Sequence, residues 1–331
     1  MTLLDRLWYR KSPVSWLLWP FSLLFRLITS VRRMLFCCGV LKTEKFSVPV
    51  VIVGNISVGG NGKTPVVVYL VQRLTEMGYV VGVASRGYGG RAPGYPYLLD
   101  PSSSADMSGD EPLLIFRRLG CLVAVDPVRP RAVRLLEDKG ADVIVSDDGL
   151  QHYAMDRDVE LIVTDGARRF GNGRELPMGP LREGLWRLET ADAVICNGGE
   201  PGAGEYRMTV AAGKPRRVAD FATELSDKCL VAAIAGIGNP EKFFSLLERE
   251  GYSVAMRISL ADHAAMTRDL LAEKLKDWQG VVMMTEKDAV KCSAFASDNW
   301  YYLPIDALIE PDLAQFVSDR ISAVREAKKM R

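Results

Sequence analysis

The chain has 331 residues, enough for about two domains. Hydrophobic residues make up 48% and charged residues 25%, which excludes a mainly disordered chain. Lys and Arg total 42 against 41 Asp and Glu, so the net charge of +1 excludes a global nucleic-acid-binding charge. Six cysteines are too sparse for a disulfide scaffold and none has C-x-x-C spacing. With only His152 and His263 besides, a dedicated His/Cys metal site is not expected. A reducing environment is the simplest reading, and Cys37-Cys38 is read as packing beside an apolar helix rather than as a lipidation site.

Residues 1–50 hold eight basic residues against Asp5 and Glu44, a local charge of +6. Within them runs VSWLLWPFSLLFRLITSV, Val14 to Val31, with 12 of 18 positions apolar. A transmembrane helix needs about 20 apolar residues, and Pro20 and Arg26 interrupt this one. A cleaved signal peptide needs an unbroken apolar region and a small-residue cleavage site, and neither is obvious. Trp16 and Trp19 with arginine flanks fit a helix lying in the membrane interface. The competing reading is an N-terminal helix packed on the protein's own core.

From residue 48 the pattern changes. Val48 to Val53 is a short β-branched run that reads as a buried parallel strand. Gly54-Asn55-Ile56-Ser57-Val58-Gly59-Gly60-Asn61-Gly62-Lys63-Thr64-Pro65 follows, and Val66 to Met77 reads as a helix ending at Gly78. Strand, glycine-rich loop and helix is the setting of a phosphate-binding loop. Glycines let backbone N–H groups turn onto phosphate oxygens, and the helix N-terminus adds its positive end. Ser57, Val58, Gly59, Gly60, Asn61, Gly62, Lys63 and Thr64 are the expected nucleotide-binding set. Lys63 would reach the β- and γ-phosphates and Thr64 would bind Mg²⁺. The usual pattern has glycine where Ser57 stands.

A second βα unit runs from Tyr79 into Ser85-Arg86-Gly87-Tyr88-Gly89-Gly90, a loop read either as flanking the ligand or as a flexible turn. Residues 91–108 read as a polar, mobile loop. Gly109-Asp110-Glu111-Pro112 then leads into a helix from Leu113. Its paired acids could cap that helix, or serve as a general base and a Mg²⁺ contact. Leu122 to Val125 is another strand, with a helix near 131–138. Asp142 to Ser146 is an apolar strand ending in Asp147-Asp148-Gly149, as a Walker-B carboxylate does at the strand edge where ligands gather. Either aspartate can hold Mg²⁺; the competing reading is an Asp-Gly turn.

These segments together resemble the tetraacyldisaccharide 4′-kinase family, the lipid A 4′-kinases. The motifs are GNISVGGNGKTP, SRGYGG, GDEP, SDDGLQH, ELPMGPLRE, AGIGNPEKFF, ADH and MTEKDAVK. They run from the apolar N-terminus to about residue 291. Ser57 is no anomaly there, since that family's loop has the same non-glycine start. The resemblance implies a membrane-associated P-loop kinase of Gram-negative bacteria, peripheral or monotopic on the cytoplasmic face of the inner membrane. It implies transfer of the γ-phosphoryl of ATP, with Mg²⁺, to the 4′-hydroxyl of tetraacyldisaccharide 1-phosphate, giving lipid IV-A. No nucleic acid and no protein partner is implied.

The implied fold is a P-loop α/β/α domain with a smaller α/β domain closing the cleft. On this chain it gives 1–45 as membrane-associating segment, 46–215 as kinase domain and 216–331 as the smaller domain. The implied base is Asp110, with His263 of Ala261-Asp262-His263 as its partner. Glu111, Asp147 and Asp148 would supply the Mg²⁺ region with Thr64, Asp148 being the better metal ligand by position. Arg182 would neutralise phosphate charge; otherwise it is a surface ion pair with Glu183 or Glu175. A further family arginine falls on Arg129 or Arg131. His152 could touch the site or support the turn after the Walker-B strand.

Further strands are expected at 159–165, 192–197, 230–235, 254–258 and 281–285, with a linker at Gly213 to Arg217 and a charged structural helix from Pro311. Gly236-Ile237-Gly238 lacks the third glycine of a dinucleotide fingerprint. Thr285-Glu286-Lys287-Asp288 does not fit the guanine-reading motif of GTPases. A P-loop GTPase switch and a non-catalytic membrane nucleotide module are the readings from other classes. Nucleotide selectivity and dependence on a lipid acceptor separate them from a kinase.

Overall fold

The computed structural model describes residues 7–9, 13–310 and 312–329. Arg6, Arg10 and Lys11 of the basic N-terminal flank lie outside the described residues.

Two sheets organise the chain. The larger is built from β1 (Val50–Gly54), β2 (Val81–Ser85), β3 (Tyr97–Leu98), β4 (Leu122–Val125), β5 (Val143–Asp147), β6 (Val159–Asp165), β7 (Ala193–Asn197) and β8 (Tyr206–Ala212). The smaller comprises β9 (Arg216–Arg217), β10 (Leu230–Ala235), β11 (Ser253–Ser259), β12 (Val281–Thr285) and β13 (Trp300–Leu303). The last strand, β14 (Ile305–Ile309), returns to the larger sheet, whose order is β14-β8-β7-β6-β1-β5-β2-β4-β3. The seven strands from β8 to β4 are parallel, with antiparallel β14 and β3 at the edges. The smaller order is β11-β10-β12-β13-β9, antiparallel only at β9.

Side chains of the parallel strands alternate between two cores. Val51, Val53, Val83 and Val145 face a layer made by the P-loop helix (Lys63–Glu76), the helix Asp110–Leu119 and the C-terminal helix Asp312–Lys329, through Val67, Leu70, Ile115 and Val317. Ile52, Ala84 and Ile144 face the helix Arg129–Asp138 through Ala132, Val133 and Leu136. The smaller sheet repeats the scheme. Ala232, Ile234 and Met284 pack under Leu271 and Ala289, while Val231, Ala233 and Met283 pack under Phe243, Phe244 and Leu247. Both faces of both sheets are covered, as parallel strands require.

The P-loop helix begins at Lys63, three residues before the expected start, because Gly62 at φ 91° supplies the turn into it. The helix Asp110–Leu119 likewise starts at its acids rather than at Leu113.

Three expectations are corrected. Residues 216–331 do not form one smaller unit: β14 pairs with β8, and the C-terminal helix buries Leu313, Val317 and Ile321 in the larger core. Of residues 91–108, 93–96 are exposed, but from Tyr97 the segment is built into the fold. Tyr97 pairs with Val125, Leu99 and Ser103 are buried, and Ala105–Ser108 is a short helix. Cys37 and Cys38 are exposed rather than packed.

At the N-terminus a 3₁₀ turn, Pro13–Leu18, runs into the α-helix Trp19–Cys37. Pro20 sits in the first helical turn, where its missing N–H costs nothing. Only a narrow strip docks. Ser22 is buried, donates to the Glu175 carbonyl at 2.8 Å and accepts from the Met178 amide at 2.9 Å. Arg33 stacks on Trp186 with its guanidinium carbon 3.8 Å from the ring centroid. The rest of the surface, including Leu17, Phe21, Leu24, Leu27 and Ile28, is exposed. Among the described residues, Pro13–Cys37 is the one helical stretch long and apolar enough to cross a membrane.

Candidate active site

The P-loop lies at the C-terminal edge of β1, between the edges of β5 and β6. Its shape is fixed by neighbours. The Val58 amide donates to the Pro180 carbonyl at 2.8 Å, and the Arg182 amide donates to the Ile56 carbonyl at 2.7 Å. Asn61 donates through Nδ2 to Ser57 Oγ at 2.8 Å, so the residue in the usual glycine position braces the loop from inside. Asn197, at the end of β7, donates to the Asn61 carbonyl at 3.0 Å. A Cβ on Gly62 would collide with that amide, so this position needs glycine for space as well as for φ. Gly59 and Gly60 are exposed, with their backbone open to a ligand. Thr64 stands half-buried in the first turn of the helix.

Below the loop sit the two Walker-B aspartates, in different states. Asp148 takes φ 50°, a left-handed conformation that Asp tolerates better than most residues. Its carboxylate lies 3.5 Å from Lys63 Nζ and 3.1 Å from Arg182 Nη1. Burial pushes this carboxyl up, but Lys63 and Arg182 outweigh it and hold it below the usual range. Arg129 is buried and donates to the Asp148 carbonyl at 3.2 Å. Arg131 instead pairs with Asp126 at 2.8 Å, so the helix phase places Arg129 at the site. Arg182 pairs with neither Glu183 nor Glu175 as expected of a surface bridge; it faces Asp148.

Asp147 is 2% exposed and its Oδ1 has no hydrogen-bond partner among the described residues. Burial and then the Glu111 charge push its carboxyl up to about 7. A buried, unpartnered carboxylate oxygen beside a second acid fits a bound divalent cation. The oxygens of Asp148 face cationic side chains, while Asp147 holds an open oxygen. Among the described residues no three His, Cys, Asp or Glu side chains converge as a cage.

Asp110 opens its helix, and its Oδ1 accepts the Glu111 amide of the first turn at 3.1 Å. Its carboxylate is 6% exposed, and Oδ2 lies 3.2 Å from His263 Nδ1. His263 comes from the loop after β11, so the pair joins the two sheets. Tyr88 of the glycine-rich loop meets the imidazole edge-on, ring centroids 4.9 Å apart, which places that loop at the site. Burial pushes the Asp110 carboxyl up, but the His263 hydrogen bond and the Lys287 and Lys291 charges hold it below the usual carboxylate range. The same hydrogen bond raises His263, against burial and Lys287. These contacts favour the ionised form of Asp110.

The residues predicted from sequence fall into one connected cluster. Lys63 and Arg182 meet at Asp148, and Asp147 lies within the field of both Lys63 and Glu111. Glu111 faces Lys287 Nζ at 3.2 Å, and Lys287 reaches the Asp110–His263 pair. His152 stays apart from this chain of contacts. Its backbone closes the turn after β5, and burial followed by nearby arginines pushes its imidazole down to about 4.

Lys287 and Lys291 were not singled out from the sequence as site residues. Their spacing, one helical turn apart in MTEKDAVK, was the available signal. A further inter-sheet contact, Lys242 to Asp165 at 2.7 Å, carried no sequence signal.

The chain matches the family described as tetraacyldisaccharide-1-P 4′-kinase over residues 14–322. It is 54% identical over 325 residues to a tetraacyldisaccharide 4′-kinase of Aeromonas hydrophila, covering 97% of this chain and 96% of that protein. It is 48% identical to one from Tolumonas auensis, covering 98% of each. The crystal structure of LpxK from Aquifex aeolicus in complex with ATP superposes with a TM-score of 0.76 at 27% identity, covering 93% of this chain and 99% of that one. On these matches, which span nearly the whole chain, the protein belongs to the tetraacyldisaccharide 4′-kinase family.

Proposed function

We propose that this chain transfers the γ-phosphoryl group of ATP to the 4′-hydroxyl of tetraacyldisaccharide 1-phosphate, forming lipid IV-A. The observation that carries the reading is the buried Asp110 carboxylate, held 3.2 Å from His263 Nδ1 and 3.5 Å from Lys291 Nζ, both contributed from the other sheet. A phosphate-binding loop alone would serve a switch; a positioned carboxylate base serves a hydroxyl acceptor.

The residues divide the work. Backbone N–H groups of Ser57 to Thr64 hold the phosphates, and Lys63 leaves Asp148 to neutralise the transferring group. Arg182 stands beside Lys63 at the same carboxylate and supplies a second cation there. Thr64, Glu111, Asp147 and Asp148 are the residues that would hold Mg²⁺, which when bound neutralises charge on the phosphate oxygens. Asp110 takes the proton of the sugar hydroxyl as that oxygen bonds to phosphorus and the bond to the leaving diphosphate breaks. Most of the rate enhancement then comes from position and charge rather than from covalent catalysis.

The N-terminal helix fits a peripheral or monotopic attachment on the cytoplasmic face of the inner membrane. Ser22 fixes one strip on the 175–178 segment, while exposed apolar side chains face outward beside the exposed Arg26 and Arg32. A substrate with acyl chains in the bilayer would reach the cleft from that side.

The test is phosphate transfer from [γ-³²P]ATP to tetraacyldisaccharide 1-phosphate in detergent micelles with Mg²⁺. A labelled lipid product, absent with Asp110→Asn, supports the reading. Acceptor-independent hydrolysis with preference for GTP would replace it with the switch reading.

A further inference from the structure

The helix Glu286–Cys292 follows β12 of the smaller sheet and packs against the helix that begins at Asp110. One turn apart on it, Lys287 and Lys291 both reach the base. Lys291 Nζ lies 3.5 Å from Asp110 Oδ2 and 3.1 Å from the fully buried Asp288. Lys287 Nζ lies 3.9 Å from Asp110 Oδ2, 3.2 Å from Glu111, 3.4 Å from Asp262 and 3.1 Å from His263 Nε2.

The contact to His263 Nε2 decides the imidazole's state. An ammonium has donors only, and a neutral imidazole has one donor nitrogen and one acceptor nitrogen. In a neutral ring 3.1 Å from the Lys287 ammonium, Nε2 is the acceptor, and the one carboxylate near it, Asp262 Oδ1 at 3.8 Å, is beyond hydrogen-bond distance. The ring proton is then on Nδ1, which faces Asp110 Oδ2 at 3.2 Å. The two sides of the ring agree, because a carboxylate needs a donor and Nδ1–H is one.

We propose that Lys287 is a positioning residue that fixes His263 as the Nδ1–H tautomer and thereby aims Asp110 at the acceptor hydroxyl. The proposal rests on Asp110 being the base. Asp110 Oδ2 is occupied by His263 and Lys291, while Oδ1 accepts only the Glu111 amide at 3.1 Å among the described residues. A carboxylate oxygen offers two lone pairs, so Oδ1 keeps one for the substrate. The hydroxyl proton moves to Oδ1, the sugar oxygen bonds to phosphorus, and the electron pair of the broken bond leaves with the diphosphate. His263 already carries its proton on Nδ1 and cannot take this one, so it orients the base and does not relay. Only when Asp110 returns its proton to solvent does the site reset.

The experiment reads the tautomer directly. The full-length protein has two histidines, so ¹⁵N-histidine labelling with long-range ¹H–¹⁵N correlation gives two imidazole patterns, and His152→Asn assigns them. The expected wild-type pattern for His263 is a protonated Nδ1 and an unprotonated Nε2. Lys287→Met is expected to redistribute the tautomers and lower kcat at least about tenfold while KM for ATP stays within about twofold. Lys287→Arg, which keeps a donor, should recover the Nδ1–H pattern. A wild-type Nε2–H pattern overturns the proposal without needing any variant to fold. So does Lys287→Met with unchanged tautomer and unchanged kcat. Full activity in Asp110→Asn would instead remove Asp110 as the base, a separate failure that leaves the tautomer measurement standing.

Discussion

Asp110 and His263 come from different sheets and meet with Oδ2 3.2 Å from Nδ1. The contact exists only because the helices Asp110–Leu119 and Glu286–Cys292 pack together. Arg118 ties the same interface, donating to Glu286 at 2.8 Å and to the Ile305 carbonyl at 2.9 Å. Base and orienting partner are therefore assembled by the joint between the sheets. Asp110→Asn preserves size but cannot accept a proton. We expect kcat to fall by about 10²- to 10⁴-fold with little change in KM for ATP. Steady-state phosphate transfer checks this; unchanged kcat would remove Asp110 as the base.

Lys63 and Arg182 share Asp148, which holds both cations in place before any phosphate arrives. Lys63→Ala removes charge from the phosphate site, while Arg182 still faces the Asp148 carboxylate that Lys63 leaves. Turnover should drop by about 10²- to 10³-fold while thermal unfolding is nearly unchanged. Asp148→Asn is the better partner variant than alanine, because the left-handed backbone at φ 50° suits Asn. It should unmoor both cations and lower turnover, with the melting temperature as the control for folding.

Much of this site was legible before any coordinates. Val50 to Val53 and Val143 to Val145 read as buried strands because β-branched runs have few other uses, and the P-loop spacing fixed the phosphate site between them. Asp110 and His263 needed the family resemblance, since an acid pair at a helix start caps helices more often than it catalyses. Lys287 and Lys291 stayed hidden because a lysine pair one turn apart looks like any solvated helix face until the opposing element is known. Arg129 and Arg131 could not be ranked without the helix phase that buries the first. Polar composition concealed the order of residues 91–108, where Ser103 is buried and bonds Tyr97. The return of β14 to the larger sheet has no local signal at all, being a matter of topology.

Glu160 in β6 carries a stability effect with a defined pH window. It accepts from Arg187 at 2.7 Å and 2.9 Å and from Arg157 at 3.0 Å, and Arg187 is itself buried. Burial pushes the carboxyl up, but the Arg187 hydrogen bond and charge outweigh it and hold Glu160 below its ordinary value. A depressed folded pKa means stability fully present above the unfolded value of about 4.3 and lost as pH falls through the folded value. Glu160→Gln should cost about 3 kcal/mol near neutral pH, because it takes a bidentate carboxylate from the buried Arg187 and leaves it with Glu183 alone, at 3.5 Å. It should also flatten the stability curve below pH about 4.3. Urea unfolding from pH 3 to 7 tests both effects, and equal acid sensitivity in the variant would show that other carboxylates control it.

The N-terminal helix separates docking from membrane contact, so the two can be tested apart. Ser22 and Arg33 face the protein, whereas Leu17, Leu24, Leu27 and Ile28 face outward. Replacing those four by serine keeps the docking strip and removes most of the exposed apolar surface. At about 25 cal/mol per Å² of apolar area, losing several large side chains from a lipid interface should weaken partitioning by orders of magnitude. Sedimentation with anionic phosphatidylglycerol vesicles should show that loss, while turnover on a short-chain soluble acceptor stays near wild type. High salt should weaken wild-type binding in part, through Arg26 and Arg32, and leave an apolar remainder. Vesicle binding that survives the four serines would place the membrane contact elsewhere on the molecule.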